Sequence, residues 1–194
     1  MNKFPEKNNN LHNTSLPELI EYIDQCGIYI TKKLLPELQQ HLENISVKDN
    51  KQKMPVADLK KAFSMLRFEI EIHFIRERAM LIPYVNEIDS YYKNGGTKPV
   101  ISINSIDNPI SLTEYEHYFA KQTLLKNLHN IRSDFQILKD TFDTFKNLYE
   151  GFTNLEERIC EHFMLVSNSL LPKAIQIEML LENAITQTDR TSRL

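Results

Sequence analysis

From Leu16 to Ala184, apolar residues return at every third or fourth position in four long blocks, separated by polar or glycine-containing stretches. That period belongs to a helix burying one face, and the alternation a half-buried strand needs is nowhere sustained. The first block carries Leu16, Ile20, Ile23, Gly27, Ile30, Leu34, Leu38, Leu42 and Ile45, with Thr14 or Ser15 as its cap and Pro17 in its first turn. Pro36 falls inside this block and is expected to kink it or loosen its ladder. After a polar loop at 46–54, the second block starts near Pro55, is bent at Pro83 and stops at Asn94-Gly95-Gly96. Val100-Ile-Ser-Ile103 is too short to build a sheet, so 97–109 reads as a long loop. The third block starts near Ser111, with Glu114 completing a capping box, and presents Ile110, His117, Ala120, Leu124, Leu128, Ile131, Phe135 and Leu138. The fourth presents Phe145, Leu148, Phe152, Leu155, Ile159, His162 and Val166.

Helices are therefore expected near 15–45, 55–92, 111–138 and 141–184. Four amphipathic helices without a strand pack as an all-α, up-down-up-down four-helix bundle, here spanning 14–185. The Asn-rich residues 1–13 and the polar tail 186–194 are expected to be disordered.

Charge narrows the choice of partner. A net charge of −3 and a pI near 6.1 give no electrostatic reason to expect nucleic acid. Cys26 and Cys160 form no CxxC pair and read as reduced thiols. No apolar run reaches the ~18 residues of a membrane span, and the N-terminus has no apolar leader core. A cytoplasmic protein with no membrane partner is the expectation.

The chemistry concentrates in the second block, at Leu66-Arg-Phe-Glu-Ile-Glu-Ile-His73-Phe-Ile-Arg-Glu77. On a helix His73 and Glu77 stack one turn apart, on the face that also carries Leu59, Phe63, Leu66, Met80 and Tyr84. An imidazole and a carboxylate on an apolar face need partners, because burying either alone is costly. The partners emerge from a hidden repeat. His73-Phe74 is followed by Leu81-Ile-Pro83, and His162-Phe163 by Leu170-Leu-Pro172, with the same His-to-Pro spacing. His117 is a third inward imidazole, whereas His12, His41 and His129 fall at the terminus or on mixed faces. Three converging imidazoles and a carboxylate form either a hydrogen-bonded polar core or a metal site of the kind non-haem iron occupies in bundles.

These residues carry a family resemblance. The segment from Leu66 through His73 and Glu77 to Ile82-Pro83 resembles the second helix of hemerythrin-like domains, in which His-x3-Glu precedes Phe-Pro. More closely, residues 16–175 resemble the repair-of-iron-centres family of bacterial di-iron proteins. The residues that support it are Ile20-Glu-Tyr-Ile23, Leu35-Pro-Glu-Leu38, Glu114-Tyr-Glu-His117, Tyr149-Glu-Gly151, Glu161-His162 and Leu171-Pro-Lys-Ala174. The resemblance implies a hemerythrin-like bundle holding two irons with four histidines and two bridging carboxylates. It also implies a role in restoring iron–sulfur clusters damaged by nitric oxide or oxidants. Several members carry a Cys-containing N-terminal module that this chain is expected to lack.

Carried over by position, His73, Glu77, His117 and His162 match family ligands, while two positions depart. The first-helix histidine is replaced by Ile28 and the second bridging carboxylate by Val166, both expected to point inward at the level of the metal. By resemblance His117 and His162 serve one iron, His73 serves the other and Glu77 bridges. The expectation is thus a mononuclear or degenerate di-iron site, with His73 swinging in as a fourth ligand. Asp24, one turn before Ile28, either replaces the lost ligand or is a surface acid. Glu69 and Glu116 either bond the ligand imidazoles, relay protons or face solvent. Three functions stay open. One is an iron protein of nitrosative or oxidative stress, with oxygen or nitric oxide as a diatomic ligand. A second is a metal-free helical scaffold or partner-binding module. The third is an iron centre for oxygen- or peroxide-dependent chemistry.

Overall fold

The computed structural model describes residues 14–45, 50–97, 99, 108–138 and 143–191. Among these, four long helices and no strand occur. Helix α1 comprises Leu16–Tyr29, a π-helical turn Ile30–Leu34, and Leu35–Glu43. Helix α2 comprises Asn50–Arg76, a π-turn Glu77–Leu81, and Ile82–Asn94. Helix α3 is Pro109–Leu138, and α4 comprises Asp143–Leu165, a π-turn Val166–Leu170, and Leu171–Thr191.

The three π-turns share one cause. Pro36, Pro83 and Pro172 each stand two residues beyond a π-turn. A proline inside a helix lacks an N–H and crowds the carbonyl one turn back. One extra residue per turn relieves the crowding. The residue before each proline then donates to the carbonyl five residues back: Leu35 to Ile30, Ile82 to Glu77 and Leu171 to Val166. The repeat read at His73 and His162 therefore has a third copy in α1, with Cys26 at the histidine position.

Capping sets the ends. The Ser15 N–H and hydroxyl both donate to Glu18, at 3.0 and 2.7 Å. The cap of α3 is Asn108 rather than Ser111, since its Oδ1 accepts from the N–H groups of Ile110 and Ser111 at 2.8 and 3.0 Å. Pro109 then fills the first helical position, where no N–H is missed. Gly95 and Gly96, with φ of 67° and 106°, end α2 in conformations that side-chain-bearing residues avoid. Two boundaries differ from the sequence reading. Helix α2 begins at Asn50, ahead of Pro55, and α4 runs on to Thr191 because neither glycine nor proline follows Pro172. Residues 1–13, most of the 97–109 loop with Val100–Ile103, and 192–194 lie outside the described residues.

Cross-helix pairs fix the direction of each helix. Asp24 meets Arg78 and Gly27 faces Phe74, so α1 and α2 are antiparallel. Arg76 with Glu116 and Tyr84 with Asn108 do the same for α2 and α3. Thr14 with Lys173 and Leu38 against Gly151 run α1 against α4, so closely that a Cβ on Gly151 would stand 2.7 Å from Leu38. Helices α2 and α4 run parallel, His73 beside His162 and Tyr84 beside Glu178. The result is the up-down-up-down bundle.

Its core is divided in two. One apolar cluster holds Leu34, Leu38, Phe63, Leu66, Ile70, Leu128, Phe152 and Leu155; the other holds Leu19, Ile23, Leu81, Val85, Ile88, Leu170 and Leu171. Truncating any one of these to Ala costs about 2–5 kcal/mol. On α2 the break between clusters falls between Phe74 and Leu81, where Glu77 stands, and on α3 between Ile110 and Leu124, where His117 stands. Met80, expected on the inner face, is 42% exposed because the π-turn rotates it outward.

Candidate metal centre

The polar layer between the clusters consists of His73, Glu77, His117 and His162, all buried. Helix α2 supplies the first two one turn apart, while α3 and α4 supply one imidazole each. Each offers a single donor atom, and the four atoms lie within 4.8 Å of one another. Glu77 Oε1 is 2.9 Å from His117 Nε2, 3.1 Å from His162 Nε2 and 3.6 Å from His73 Nε2. The Nε2 atoms of His73 and His162 are 3.2 Å apart. Phe74 and Phe163 pack edge-on against these rings, at centroid distances of 4.7–5.8 Å.

Burial and charge oppose each other here. Desolvation pulls the His73 pKa down to about 3, against the attraction of Glu77 and with help from His162 and His117. Desolvation alone would raise the Glu77 carboxyl. Electrostatic attraction to His162 and hydrogen bonds from His117 and His162 outweigh it and hold the group well below the carboxylate range. Glu77 is thus an anion surrounded by imidazole nitrogens.

The donor set fits one divalent cation. Bonds of about 2.1 Å place neighbouring donors about 3.0 Å apart in octahedral and about 3.4 Å in tetrahedral coordination, close to the spacings found. Among the described residues no second group of three or more such donors occurs. Val166 is fully buried hydrocarbon at the start of the α4 π-turn. Ile28 departs from expectation: it is only half-buried, because Cys26, Gly27 and Ile30 occupy the inner face of α1 at that level. Asp24 is taken by Arg78, whose Nε donates to Oδ1 at 2.5 Å. Glu116 accepts from Arg76 at 2.9 Å rather than from an imidazole, and neither it nor Glu69 lies in the cluster. The Nδ1 atoms of His117 and His162 are buried without a hydrogen-bond partner, whereas a ligand histidine ordinarily donates its second N–H to a carboxylate or carbonyl.

Two further polar groups were not foreseen. Cys26 is buried against Tyr22, and burial, with Glu161 adding, pushes its thiol up to about 12, so it is a core thiol and not a nucleophile. Near the far end of the bundle, Glu178 accepts from the Tyr84 hydroxyl and from Asn108 Nδ2, the latter at 2.7 Å. This node ties α2, the cap of α3 and α4 together. Its signal was present in the sequence: Glu178 sits at core spacing from Ala174 and Leu181, as Glu77 does on α2.

Fold and site together define an all-α, up-down-up-down four-helix bundle with a buried three-histidine, one-carboxylate cluster. No protein-family model matches the chain. Curated proteins named iron-sulfur cluster repair protein YtfE are similar to it. The one from Escherichia coli O1:K1 / APEC is 26% identical over 161 residues, which is 82% of this chain and 66% of that protein. The one from Enterobacter sp. (strain 638) is 27% identical over 162 residues, 83% and 67% of the two chains. The matched region thus spans about two thirds of these relatives' length. No helix among the described residues is long and apolar enough to cross a membrane.

Proposed function

We propose that the protein is a divergent non-haem iron protein that holds one metal ion through His73, Glu77, His117 and His162 and acts in iron–sulfur cluster repair or the response to nitric oxide and oxidants. The observation that carries the reading is the convergence of three imidazole nitrogens on one carboxylate oxygen, all buried and within 4.8 Å of one another. The names of the similar proteins support the biological setting. Four protein ligands leave open positions on an octahedral iron, where a diatomic molecule can bind. Glu77 supplies the negative charge and neutral His73 resists competing protons. Phe74 and Phe163 keep bulk water away from the rings. A cytoplasmic setting agrees with two free thiols.

The unpartnered Nδ1 atoms of His117 and His162 favour a second reading. With protons on Nε2, both imidazoles donate to Glu77 and leave bare, acceptor-only nitrogens behind, so the carboxylate is held without a metal. That state is the scaffold alternative. The deciding experiment incubates Fe(II)-treated protein with an iron–sulfur enzyme inactivated by nitric oxide and follows recovery of that enzyme. Recovery above the level given by free Fe(II), lost in His117→Ala, supports the repair reading. Recovery equal to free Fe(II) contradicts it.

A further inference from the structure

Phe74, Phe163 and the two apolar clusters wall the imidazoles. Between α1 and α2 the wall is thinner. A cavity of about 10 Å³ there is lined by Asp24, Gly27, Phe74, Glu77 and Arg78, among others. That volume is close to what one water molecule needs. Of the four clustered residues only Glu77 reaches it. Gly27 helps keep the space: a Cβ at that position would stand 2.8 Å from the Phe74 ring and drive it aside. The outer wall is an ion pair. Besides the bond to the Asp24 carboxylate, Arg78 Nη2 reaches the Asp24 carbonyl oxygen at 3.5 Å, so one guanidinium clasps both the side chain and the backbone of α1. The Asp24 and Arg78 side chains are 27% and 42% exposed, which puts the pair at the boundary with solvent.

We propose that this cavity is the port through which a small ion or molecule reaches Glu77, and that the Asp24–Arg78 pair is its latch. The proposal rests on the metal-binding reading above. It gives a role to the room beside Glu77 in a chain whose Val166 and Ile28 offer a second cation no ligand. The latch joins α1 to α2 and must part before anything larger than water passes. Arg76, paired with Glu116 across the α2–α3 seam, is a matched arginine on the opposite flank.

The test is stopped-flow uptake of Co(II) by apo protein, followed by the visible bands of the bound ion, together with release to EDTA. Wild type, Asp24→Ala, Arg78→Ala and Arg76→Ala are compared. Loss of one exposed ion pair raises the open population about two- to fivefold, so uptake and release should both quicken by that factor in Asp24→Ala and Arg78→Ala. Affinity should change less than twofold, and Arg76→Ala should match wild type. The two latch variants change net charge in opposite directions, so rates that also move in opposite directions would assign the effect to electrostatic attraction and overturn the port. Equal rates in all four proteins would overturn it as well, while leaving the metal reading standing. Absence of a cobalt spectrum in every protein would overturn both.

Discussion

Glu77 and Val166 each open a π-helical turn six residues ahead of a proline, and both are buried. One places a carboxylate at the centre of the bundle and the other a branched hydrocarbon. The α2 and α4 segments thus share the backbone device, but only α2 carries a polar group at its first position. Val166→Glu should therefore bury an unpaired acid and lower the stability of the apo protein by about 2–4 kcal/mol. Val166→Leu should cost under about 1.5 kcal/mol. Urea unfolding of the two variants beside wild type measures the difference. Equal costs would mean that position 166 is not enclosed as described.

Stability should fall on acidification, and the sign follows from both buried groups. His73 has its pKa depressed in the folded state to about 3 from an ordinary value near 6.5. The unfolded chain therefore takes up a proton that the folded chain refuses, and the stability present above pH ~6.5 is progressively lost between ~6.5 and 3. Glu77, also lowered, contributes stability present above the ordinary carboxylate range and lost below it. Both act in the same direction. The His73 share reaches about 2–3 kcal/mol by pH ~4.5. Urea midpoints measured from pH 8 to 4.5 should decline, and the decline should shrink in His73→Asn. A flat profile would place His73 in water.

The Glu178 node offers a structural control remote from the cluster. Tyr84→Phe removes a donor from a buried carboxylate and should cost about 1–3 kcal/mol. Metal content should not change. A variant that keeps full stability would show the hydroxyl to be solvated instead, and a variant that loses metal would couple the two polar layers.

What could be read in the sequence was whatever follows from period and spacing. The four helices, the inward placement of His73, His117 and His162, and the His73–Pro83 and His162–Pro172 repeat all survive in the structure. What could not be read depends on rotation and on neighbours. Helix periodicity assumes a constant turn, so it cannot anticipate the π-turn that swings Met80 outward. Nor can it show that Gly27 and Cys26, not Ile28, hold the inner face of α1. Asp24 could be judged only once Arg78 was in place across the α1–α2 seam. The cap Asn108 was legible as Asn-Pro ahead of an apolar block, but Ser111 and Glu114 offered a competing motif.

If a metal occupies the cluster, the unpartnered Nδ1 atoms of His117 and His162 set its strength. Ligand histidines lacking a carboxylate or carbonyl on the second nitrogen bind about 10–100-fold more weakly. Zn(II) titration against a competing chelator should accordingly show an affinity at least about tenfold below that of bundle sites whose histidines are so supported. Glu77→Ala should abolish binding, since it removes the one anion among the donors. Affinity equal to that of supported sites would mean that ordered water fills the role of those missing partners.

The central claim is one metal ion in a three-histidine, one-carboxylate layer, and metal content tests it most directly. Protein purified without chelator, reconstituted anaerobically with Fe(II) and freed of excess, should hold about one equivalent by elemental analysis and almost none in Glu77→Ala. Two tightly held equivalents would show that a ligand other than Ile28 or Val166 completes a di-iron centre. Less than about a tenth of an equivalent would contradict the account and leave the His–Glu layer as a hydrogen-bonded core.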